Sequence, residues 1–416
     1  MGVIRYQLTL TAPAIFTRGV GDPNTVDSWT HVPGSRILGA LAARWLAQHP
    51  KADAAADADF QRLFLNGSVC YLHAYPAYDR GTRMLPAPLT LYEPRDTGAR
   101  GELIDRAIDP QAELDPDLRQ AALGYIVWRE TRITYYRPAL RRHQHHERER
   151  VRGRPTDGNI FTYEALPAGS RFSGAILTER DEDEALLASL ITRGPLRVGR
   201  SLAAEYGGQA EVELIEATRA DWQEVTPVFE RQTPELLVVT LLSEYLGRNP
   251  NGEMTPEAFK ADLEDALSTP LIEVHRFVRY HSISGYVAAW SMPRPPHPAL
   301  AAGSVFLYER PEGMAIPARV LSLGDRRAEG FGRVALDWHG VESDEELKKQ
   351  EWVSKRPLAT ISLTPPVGVL QAALWQQWLL ERVPLRVGAI HLTHPPPRGR
   401  WPSPSSIGTM RGVLAR

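Results

Sequence analysis

The stretch Val198-Gly-Arg-Ser-Leu-Ala-Ala-Glu-Tyr-Gly-Gly208 recurs later in the chain as Leu323-Gly-Asp-Arg-Arg-Ala-Glu-Gly-Phe-Gly-Arg333. Each glycine loop follows a similar landmark, Leu166-Pro-Ala-Gly-Ser-Arg-Phe-Ser-Gly-Ala-Ile176 before the first and Leu300-Ala-Ala-Gly-Ser-Val-Phe-Leu-Tyr308 before the second. The loops repeat after 125 residues and the landmarks after 134, which is too long for a solenoid unit and right for a small domain. The sequence therefore predicts an internal duplication.

The first copy reads as strands and helices in alternation. Residues 3–11 alternate apolar and polar side chains as a half-buried strand does, and Ser35 is a good N-cap for the helix that follows. Residues 161–166 and 170–177 predict a strand pair that turns at Pro167-Ala-Gly169. Residues 181–194 predict a second helix with acidic residues in its first turn, and the first glycine loop follows it.

The second copy repeats this order with one element reduced. Residues 235–243 predict a strand, and Thr255 is the predicted N-cap of a helix that runs to about Leu267. Strand-like segments at 274–290 and 304–308 lead to the second glycine loop, and Pro311-Glu-Gly-Met-Ala-Ile-Pro317 stands where the first copy has its second helix. The two copies have therefore diverged.

These patterns predict an α+β fold. It has two ferredoxin-like (RRM-like) domains with glycine-rich loops and a helical C-terminal extension. We place the first domain, with an arginine-rich insertion, at residues 1–230 and the second at 231–345. Residues 346–416 form the predicted helical extension and a Pro/Ser-rich tail.

Composition narrows the class of protein. The chain has 416 residues, 43% of them hydrophobic and 24% charged, as expected of a globular protein of two or three domains. No apolar run approaches ~18 residues, and the N-terminus enters a strand pattern directly, so we expect a cytoplasmic protein without a membrane segment. The lone cysteine, Cys70, lies in an apolar run and predicts a core thiol. Neither a metal nor a cofactor is predicted.

Basic charge is concentrated in one segment, although the net charge is only −2. Of the 48 basic residues 43 are arginine, which fits either a GC-rich coding bias or phosphate recognition by planar guanidinium groups. Residues 137–154 hold seven arginines against two glutamates and no hydrophobic periodicity, so we predict an exposed, mobile loop that either binds RNA or is merely solvated. Its candidate RNA contacts are Arg137, Arg141, Arg142, His143, His145, His146, Arg148, Arg150, Arg152 and Arg154.

The glycine loops and the first helix start supply the other candidate RNA contacts. Neither loop has the Gly-Lys-Ser/Thr ending of a nucleotide P-loop or a G-x-G-x-x-G motif that opens a helix, which argues against nucleotide hydrolysis and dinucleotide binding. Glycines let backbone N–H groups approach phosphate, and the loop aromatics either stack on a base or anchor the loop in the core. The candidates are Pro33, Gly34, Ser35, Arg36, Gly199, Arg200, Ser201, Tyr206, Gly207, Gly208, Gly324, Arg326, Arg327, Gly330, Phe331 and Gly332.

No catalytic residue is predicted. The histidines include no H-E-x-x-H motif, and the acidic run at residues 181–184 fits a helix N-terminus better than a metal site. His31 is either structural or the general base of a metal-independent endoribonuclease, and that alternative stays open.

Taken together, the motifs resemble the RAMP superfamily of CRISPR–Cas proteins, and within it the Cas-five-like Csx-ten group of type III-D interference complexes. The resemblance rests on His31-Val-Pro-Gly-Ser-Arg-Ile-Leu-Gly-Ala-Leu41, the two Ala-Gly-Ser turns, both glycine loops and Ser403-Pro-Ser-Ser-Ile-Gly-Thr-Met-Arg411. It extends from residue 1 to about 411 but is specific only at these motifs.

The resemblance implies an RNA-binding subunit of a type III complex in antiviral defence. Such a subunit holds the 5′ repeat-derived end of the CRISPR guide RNA and assembles with a large polymerase/cyclase-like Cas subunit and with backbone RAMP subunits. It meets target RNA only indirectly. Two alternatives remain, an endoribonuclease that processes the guide precursor and a scaffold that binds mainly proteins.

Overall fold

Strand β1 (Gly2–Leu10) shows, in the computed structural model, the alternation that its sequence predicts: every second side chain is buried. The structure describes residues 2–18, 25–50, 53–95, 103–111, 115–129, 132–148, 155–200, 206–215, 222–225, 233–253, 255, 257–287, 292–314, 316, 319–339 and 348–349. Side chains are not described at residues 146–148, 155–160 and 348–349.

The described residues form many short strands and few helices. The helices are α1 (Gly34–Gln48), α2 (Ala58–Phe60), which continues as a π-helical turn over Gln61–Leu65, α3 (Asp181–Ile191) and α4 (Ala258–Leu267). The strands after β1 are β2 (Thr25–Val26), β3 (Val69–Tyr71), β4 (Tyr75–Pro76), β5 (Leu85–Pro86), β6 (Leu91–Pro94), β7 (Ile104–Asp105), β8 (Leu118–Gln120), β9 (Tyr125–Arg129), β10 (Arg132–Tyr136), β11 (Arg141–Arg148), β12 (Pro155–Ala165), β13 (Arg171–Thr178), β14 (Leu196–Arg197), β15 (Gln209–Ile215), β16 (Leu236–Leu241), β17 (Glu273–Phe277), β18 (Tyr280–Val287), β19 (Met292–Leu300), β20 (Val305–Glu309), β21 (Val320–Ser322), β22 (Arg333–Leu336) and β23 (Lys348–Lys349).

The first sheet has the strand order β14-β15-β1-β13-β3, with β4 also paired to β13. All of these neighbours are antiparallel, and Leu8 of β1 lies opposite Phe172 of β13 and Val212 of β15. Helix α1 connects β1 towards β3, and α3 connects β13 towards β15, which is the order of a ferredoxin-like unit. Leu8, Ile37 of α1 and Leu187 of α3 share one core on the helix side of this sheet.

The second sheet has the order β17-β20-β16-β22-β21, again with antiparallel neighbours. Helix α4 lies between β16 and β17 in the chain, and Phe259 of α4 packs in one core with Val239 and Phe306. Between β20 and β22, the described residues contain only β21 and a 3-10 turn at Arg327–Glu329 where the first sheet has α3. The order of the four main strands is thus repeated, and one helix is not. We call the elements of the two sheets the first and the second module.

Two local predictions are corrected at the element ends. Helix α1 begins at Gly34 with Pro33 as its N-cap, so the prediction of Ser35 as N-cap is wrong. The Gly34 N–H donates to Nδ1 of His73 at 3.0 Å, which satisfies a helix-start N–H without a serine cap. Helix α4 likewise begins at Ala258 with Glu257 as its N-cap, later than predicted.

Two predictions about strands are also corrected. Residues 141–148 form strand β11 and pair with β12, so the prediction of a mobile loop over 137–154 is wrong for that part. Its inward face is made of histidine rings that contact aromatic side chains, which hydrophobic periodicity does not detect. The segments around Pro167-Ala-Gly169 are strands, but β12 pairs with β11 and β2 while β13 lies in the first sheet, so they form no hairpin.

Contacts within the chain group Met1–Ser354 into one compact unit and Lys355–Arg416 into another. Both modules belong to the first unit, and the predicted domain limits stay predictions. The predicted helical extension at 346–416 lies outside the described residues except for β23, which pairs in parallel with β10. Among the described helices, none combines the length and the apolar character needed to cross a membrane.

Candidate nucleic-acid interface

The two ends of the first glycine loop are closed by backbone hydrogen bonds. The N–H of Gly199 donates to the carbonyl of Gly207 at 3.0 Å, and the N–H of Gly208 donates to Pro13 at 3.1 Å. A Cβ atom at Gly199 would lie 2.4 Å from the carbonyl oxygen of Tyr206, so only glycine fits. Ser201, a predicted contact, lies outside the described residues.

Tyr206 anchors this loop to the fold. It is 5% exposed, and its hydroxyl oxygen lies 2.9 Å from Nε2 of His145 on β11. Its ring meets that of Tyr163 edge-on at 5.7 Å. The sequence allowed Tyr206 either to stack on a base or to anchor the loop in the core. In the structure it is buried in the core, and its ring presents no open face to a base.

The basic side chains of strand β11 differ in exposure. Arg141 and Arg142 are exposed, whereas His143 and His145 are half-buried towards Tyr206. Arg142 pairs with Glu164 across the strands, with Nε 2.8 Å from Oε1. The arginines are thus displayed on a paired strand that costs little further ordering when a ligand binds.

The remaining residues of the arginine-rich segment are only partly described. Arg137 is exposed before β11. His146 and Arg148 lie on β11, although their side chains are not described. Arg150, Arg152 and Arg154 lie outside the described residues.

The start of α1 is packed more tightly than a ligand-binding helix start requires. The Gly34 N–H is already bonded to His73, and a Cβ atom at Gly34 would lie 1.8 Å from the carbonyl oxygen of Tyr71 and 2.4 Å from that of Glu329. Pro33 is buried as well, and Ser35 is half-buried inside the helix. The Gly34 N–H is therefore already paired, and RNA contact at Pro33, Gly34 and Ser35 stays a prediction.

Arg36, near the start of α1, is affected by the charge of Arg200 on the first glycine loop. Burial, and after it the charge of Arg200, lower the pKa of Arg36. Arg36 is half-buried and Arg200 is exposed, and within the described part of the chain neither guanidinium has an ion-pair partner. Two positive charges without ion-pair partners favour an anion near the start of α1 and the first glycine loop.

The second glycine loop packs against the first module. Gly330 and Gly332 have positive φ angles of 91° and 70°. A Cβ atom at Gly330 would lie 2.6 Å from the carbonyl oxygen of Tyr71, next to β3. The Gly332 N–H donates to the carbonyl of Glu244 at 2.8 Å, and Gly324 fits closely against Leu246. Gly330 therefore allows close contact between the two modules, whereas Gly324 and Gly332 allow close packing within the second.

The charged and aromatic side chains of this loop are mostly satisfied internally. Arg326 bonds to Glu329 through Nε and a terminal nitrogen at 3.0 and 2.8 Å and lies 4.6 Å over the ring of Phe331. Phe331 is 6% exposed and meets His73 edge-on. Arg327 is exposed, and its carbonyl accepts the Cys70 thiol at 3.0 Å. RNA contact at these residues stays a prediction, while their packing contacts are present.

A buried polar cluster between the modules was not predicted from the sequence. His31, His73 and Glu244 are all at most 4% exposed, and the rings of His31 and His73 stack at 5.0 Å. His73 accepts the Gly34 N–H on Nδ1, so its Nε2 carries the proton and faces Glu244 Oε2 at 3.5 Å. The one available signal was Glu244, an acid inside an apolar run.

The electrostatics of this cluster follow from its burial. Burial, then the neighbouring His73, lower the pKa of His31 to about 3, against the opposing charge of Glu244. Burial alone would raise the pKa of Glu244, but the hydrogen bond from His73 and the charges of both histidines lower it to about 2. His31 therefore stays uncharged above about pH 3, and Glu244 stays ionised above about pH 2.

This cluster fits a structural role better than a metal site or a catalytic base. The ligand atoms of His31, His73 and Glu244 lie within 4.8 Å of one another. The Gly34 N–H nevertheless occupies Nδ1 of His73, so Nε2 is protonated and offers no lone pair to a metal. His31 is 4% exposed, and its Nδ1 lies 3.1 Å from the Tyr125 hydroxyl, so RNA reaches the ring only if the modules separate.

No family model matches the sequence, and no curated protein matches it. Among solved structures, a chain of the Type III-B Cmr-beta complex bound to cognate target RNA is 13% identical, with 73% of this chain and 86% of that chain covered and a TM-score of 0.42. A RAMP protein binding different RNA substrates is 8% identical, with coverage of 80% and 98% and a TM-score of 0.30.

A third similar structure is a chain of the Csm3–Csm4 subcomplex in the type III-A CRISPR-Cas interference complex. It is 11% identical, with 74% of this chain and 92% of that chain covered and a TM-score of 0.32. The identities and TM-scores are low, so a function has to be inferred from the residues of this chain itself.

Proposed function

We propose that this chain is a non-catalytic RNA-binding member of the RAMP superfamily and a subunit of a type III CRISPR–Cas interference complex. The observation that carries the proposal is the closed first glycine loop beside α1: Val198 at its start shares a core with Ile37 of α1, and Arg200 on the loop is exposed. The guanidinium groups of Arg36 and Arg200 would hold an RNA phosphate by charge-assisted hydrogen bonds.

Strand β11 extends this positive surface. It is joined to the first glycine loop through His145 and Tyr206, so Arg141 and Arg142 belong to the same rigid part of the molecule as Gly199. Exposed arginines on the loop and on the strand joined to it suit a strand of phosphates better than a single small anion. RNA backbone is therefore the ligand class that this side of the first module favours.

The resemblance in the motifs supports a narrower assignment. We assign the 5′ repeat-derived end of the guide RNA to the first glycine loop and to Arg36. The large polymerase/cyclase-like Cas subunit and the backbone RAMP subunits are the assigned neighbours, and contact with target RNA is indirect. The cytoplasm is the assigned location. Because the second glycine loop contacts the first module, its part is to hold the protein together rather than to bind RNA.

The experiment measures the affinity of the full chain for two labelled RNAs. One is a guide with its repeat-derived 5′ segment, and the other has that segment scrambled. Binding to the first is expected to be at least about tenfold tighter, a difference of about 1.4 kcal/mol. Arg200→Gln should reduce this preference, whereas Arg276→Gln, an exposed residue of the second module that pairs with Glu273, should leave it unchanged. Equal affinities for the two RNAs would contradict the assignment.

The absence of catalysis is tested separately. Purified protein is incubated with repeat-containing RNA in EDTA, and the products are separated by size. Because the His31 ring is buried against His73, we expect the RNA to remain intact. Cleavage that disappears in His31→Ala would establish the endoribonuclease instead.

A further inference from the structure

A cavity of about 200 Å³ opens on the other side of the first sheet from its helices. Strand β1 buries Tyr6 and Leu8 towards α1 and α3, so Arg5, which alternates with them, points to the opposite face. Ala175 of β13 lies directly opposite Arg5 in the sheet and also lines the cavity. Strand β9 and the segment around Trp222 form the facing wall.

The charged groups that line the cavity are unbalanced. Three arginines, Arg5, Arg83 and Arg129, face one carboxylate, Glu224. Glu224 forms ion pairs with Arg83, which also lines the cavity, and with Arg333, so its charge is neutralised. The lining therefore carries an excess of positive charge, which favours an anionic ligand.

Two of the arginines have hydrogen-bonding capacity left. Arg5 donates from one terminal nitrogen to the carbonyl of Gly81 at 2.8 Å, and no ion pair of Arg5 occurs among the residues that the structure describes. Arg129 bonds to Asp79 at 3.0 Å, but about half of each side chain is exposed, so water screens this pair. Both guanidinium groups can thus turn N–H groups towards a ligand without breaking a buried ion pair.

One aromatic ring supplies the rest of the recognition surface. Trp128, Trp222 and Trp338 all line the cavity. Trp128 and Trp338 are only 4% and 2% exposed and form part of the wall, whereas Trp222 is half-buried and offers ring surface to a ligand.

We propose that this cavity binds one nucleotide, with its base against Trp222 and its phosphate on Arg5 and Arg129. An apolar cavity of about 150 Å³ holds a benzene ring, so a cavity of about 200 Å³ accommodates a single base but not a stack of bases. Aromatic side chains and arginine planes are the groups that proteins use to hold unstacked bases. A free nucleoside monophosphate and a nucleotide splayed out of an RNA strand offer this same chemistry. The site shares no residue with the Arg36 and Arg200 surface, so it stands or falls independently of the proposed function.

The test uses quenching of the intrinsic tryptophan fluorescence of the full chain. The titrants are the four nucleoside 5′-monophosphates, the matching nucleosides, inorganic phosphate and a short single-stranded oligoribonucleotide. We expect saturable quenching by at least one monophosphate or by the oligoribonucleotide, and binding at least about tenfold weaker for the nucleoside and for phosphate alone. Quenching by monophosphates identifies free nucleotides as a source, and quenching by the oligoribonucleotide alone identifies RNA.

Substitutions locate the binding. Arg5→Gln and Arg129→Gln should each weaken it about tenfold or more, and Trp222→Leu should remove most of the quenching. Arg276→Gln is the matched control, since it removes an exposed, paired arginine outside the cavity. Arg129 is exposed, so that variant is expected to fold normally, which thermal unfolding checks.

Three results would overturn the proposal. The first is the absence of quenching by every nucleotide and by the oligoribonucleotide. The second is binding of phosphate as tight as that of the monophosphates. The third is unchanged affinity in both Arg5→Gln and Arg129→Gln. Loss of nucleotide binding in Arg36→Gln/Arg200→Gln, with Arg5→Gln unaffected, would likewise overturn it, since the nucleotide would then bind at the other surface.

Discussion

Nε2 of His145 lies 2.9 Å from the hydroxyl oxygen of Tyr206, and this contact joins the arginine-bearing strand β11 to the first glycine loop. The two residues are 61 positions apart in the sequence. Because Tyr206 is buried, the contact fixes the loop at its C-terminal end, where Gly207 and Gly208 close it against Gly199 and Pro13.

Tyr206→Phe is expected to destabilise the protein by about 1 kcal/mol, because it removes the hydroxyl and leaves the imidazole nitrogen without this partner. Urea unfolding measures the change. Tyr280→Phe is the control, since Tyr280 is 54% exposed on β18 and should change stability little. A destabilisation as small as that of the control would mean that the contact does not hold the loop.

Gly34→Ala is expected to destabilise the protein by about 3 kcal/mol or more, because the new methyl group would overlap the carbonyl oxygens of Tyr71 and Glu329. Gly39→Ala lies in the same helix with no neighbouring atom within 4 Å of its Cβ position, so it should stabilise the helix by about 0.5 to 1 kcal/mol. Thermal or urea unfolding compares the two variants. Equal effects would show that the second glycine loop does not press on the start of α1.

Stability should fall in acid because of the buried cluster. The pKa of His31 is lowered to about 3 in the folded state, so between that pH and its ordinary value near 6.5 the unfolded state binds a proton that the folded state does not. Its contribution is complete above about pH 6.5 and is lost as the pH falls, by up to about 1.4 kcal/mol per pH unit. The pKa of Glu244, lowered from 4.5 to about 2, adds a loss in the same direction below pH 4.5.

His31→Phe should make this acid limb shallower by close to one proton. The measurement is the urea unfolding free energy of wild type and variant at several values between pH 4 and pH 8. The groups that face His31 are His73, Glu244, Arg18 and His281, and all are retained in the variant. Parallel curves for the two proteins would contradict the assignment of His31 as the buried neutral group.

The parts of the fold that sequence predicts well are those whose cause is local. The alternation over residues 3–11 and the mainly apolar run at 236–241 predict β1 and β16, because burial on one or both faces determines the side-chain pattern. The duplicated landmarks also predicted a repeated unit, and the structure has two sheets with the same order of four main strands. In these segments, neighbours in sequence carry the information.

The parts that were missed depend on residues far apart in the chain. Strand β11 has no apolar alternation, and only its pairing with β12 and its contact with Tyr206 make it a strand. The helix start at Gly34 is set by His73 and by Glu329 of the other module. The contact between Nε2 of His73 and Oε2 of Glu244 joins residues that no local pattern relates. Tertiary contacts therefore decided which predicted site residues face solvent and which pack inside.

The central claim is that Arg36 and Arg200 hold RNA phosphate at the junction of α1 and the first glycine loop. The most direct measurement is the salt dependence of guide-RNA affinity for wild type, the two single variants and Arg36→Gln/Arg200→Gln. Two lost phosphate contacts should reduce the slope of log affinity against log salt by about 1.4 on single-stranded RNA. The control is Arg80→Gln/Arg276→Gln, which removes two exposed arginines paired with Glu213 and Glu273 and keeps the net charge matched. An unchanged slope in the Arg36 and Arg200 double variant, or an equal loss in the control, would contradict the claim.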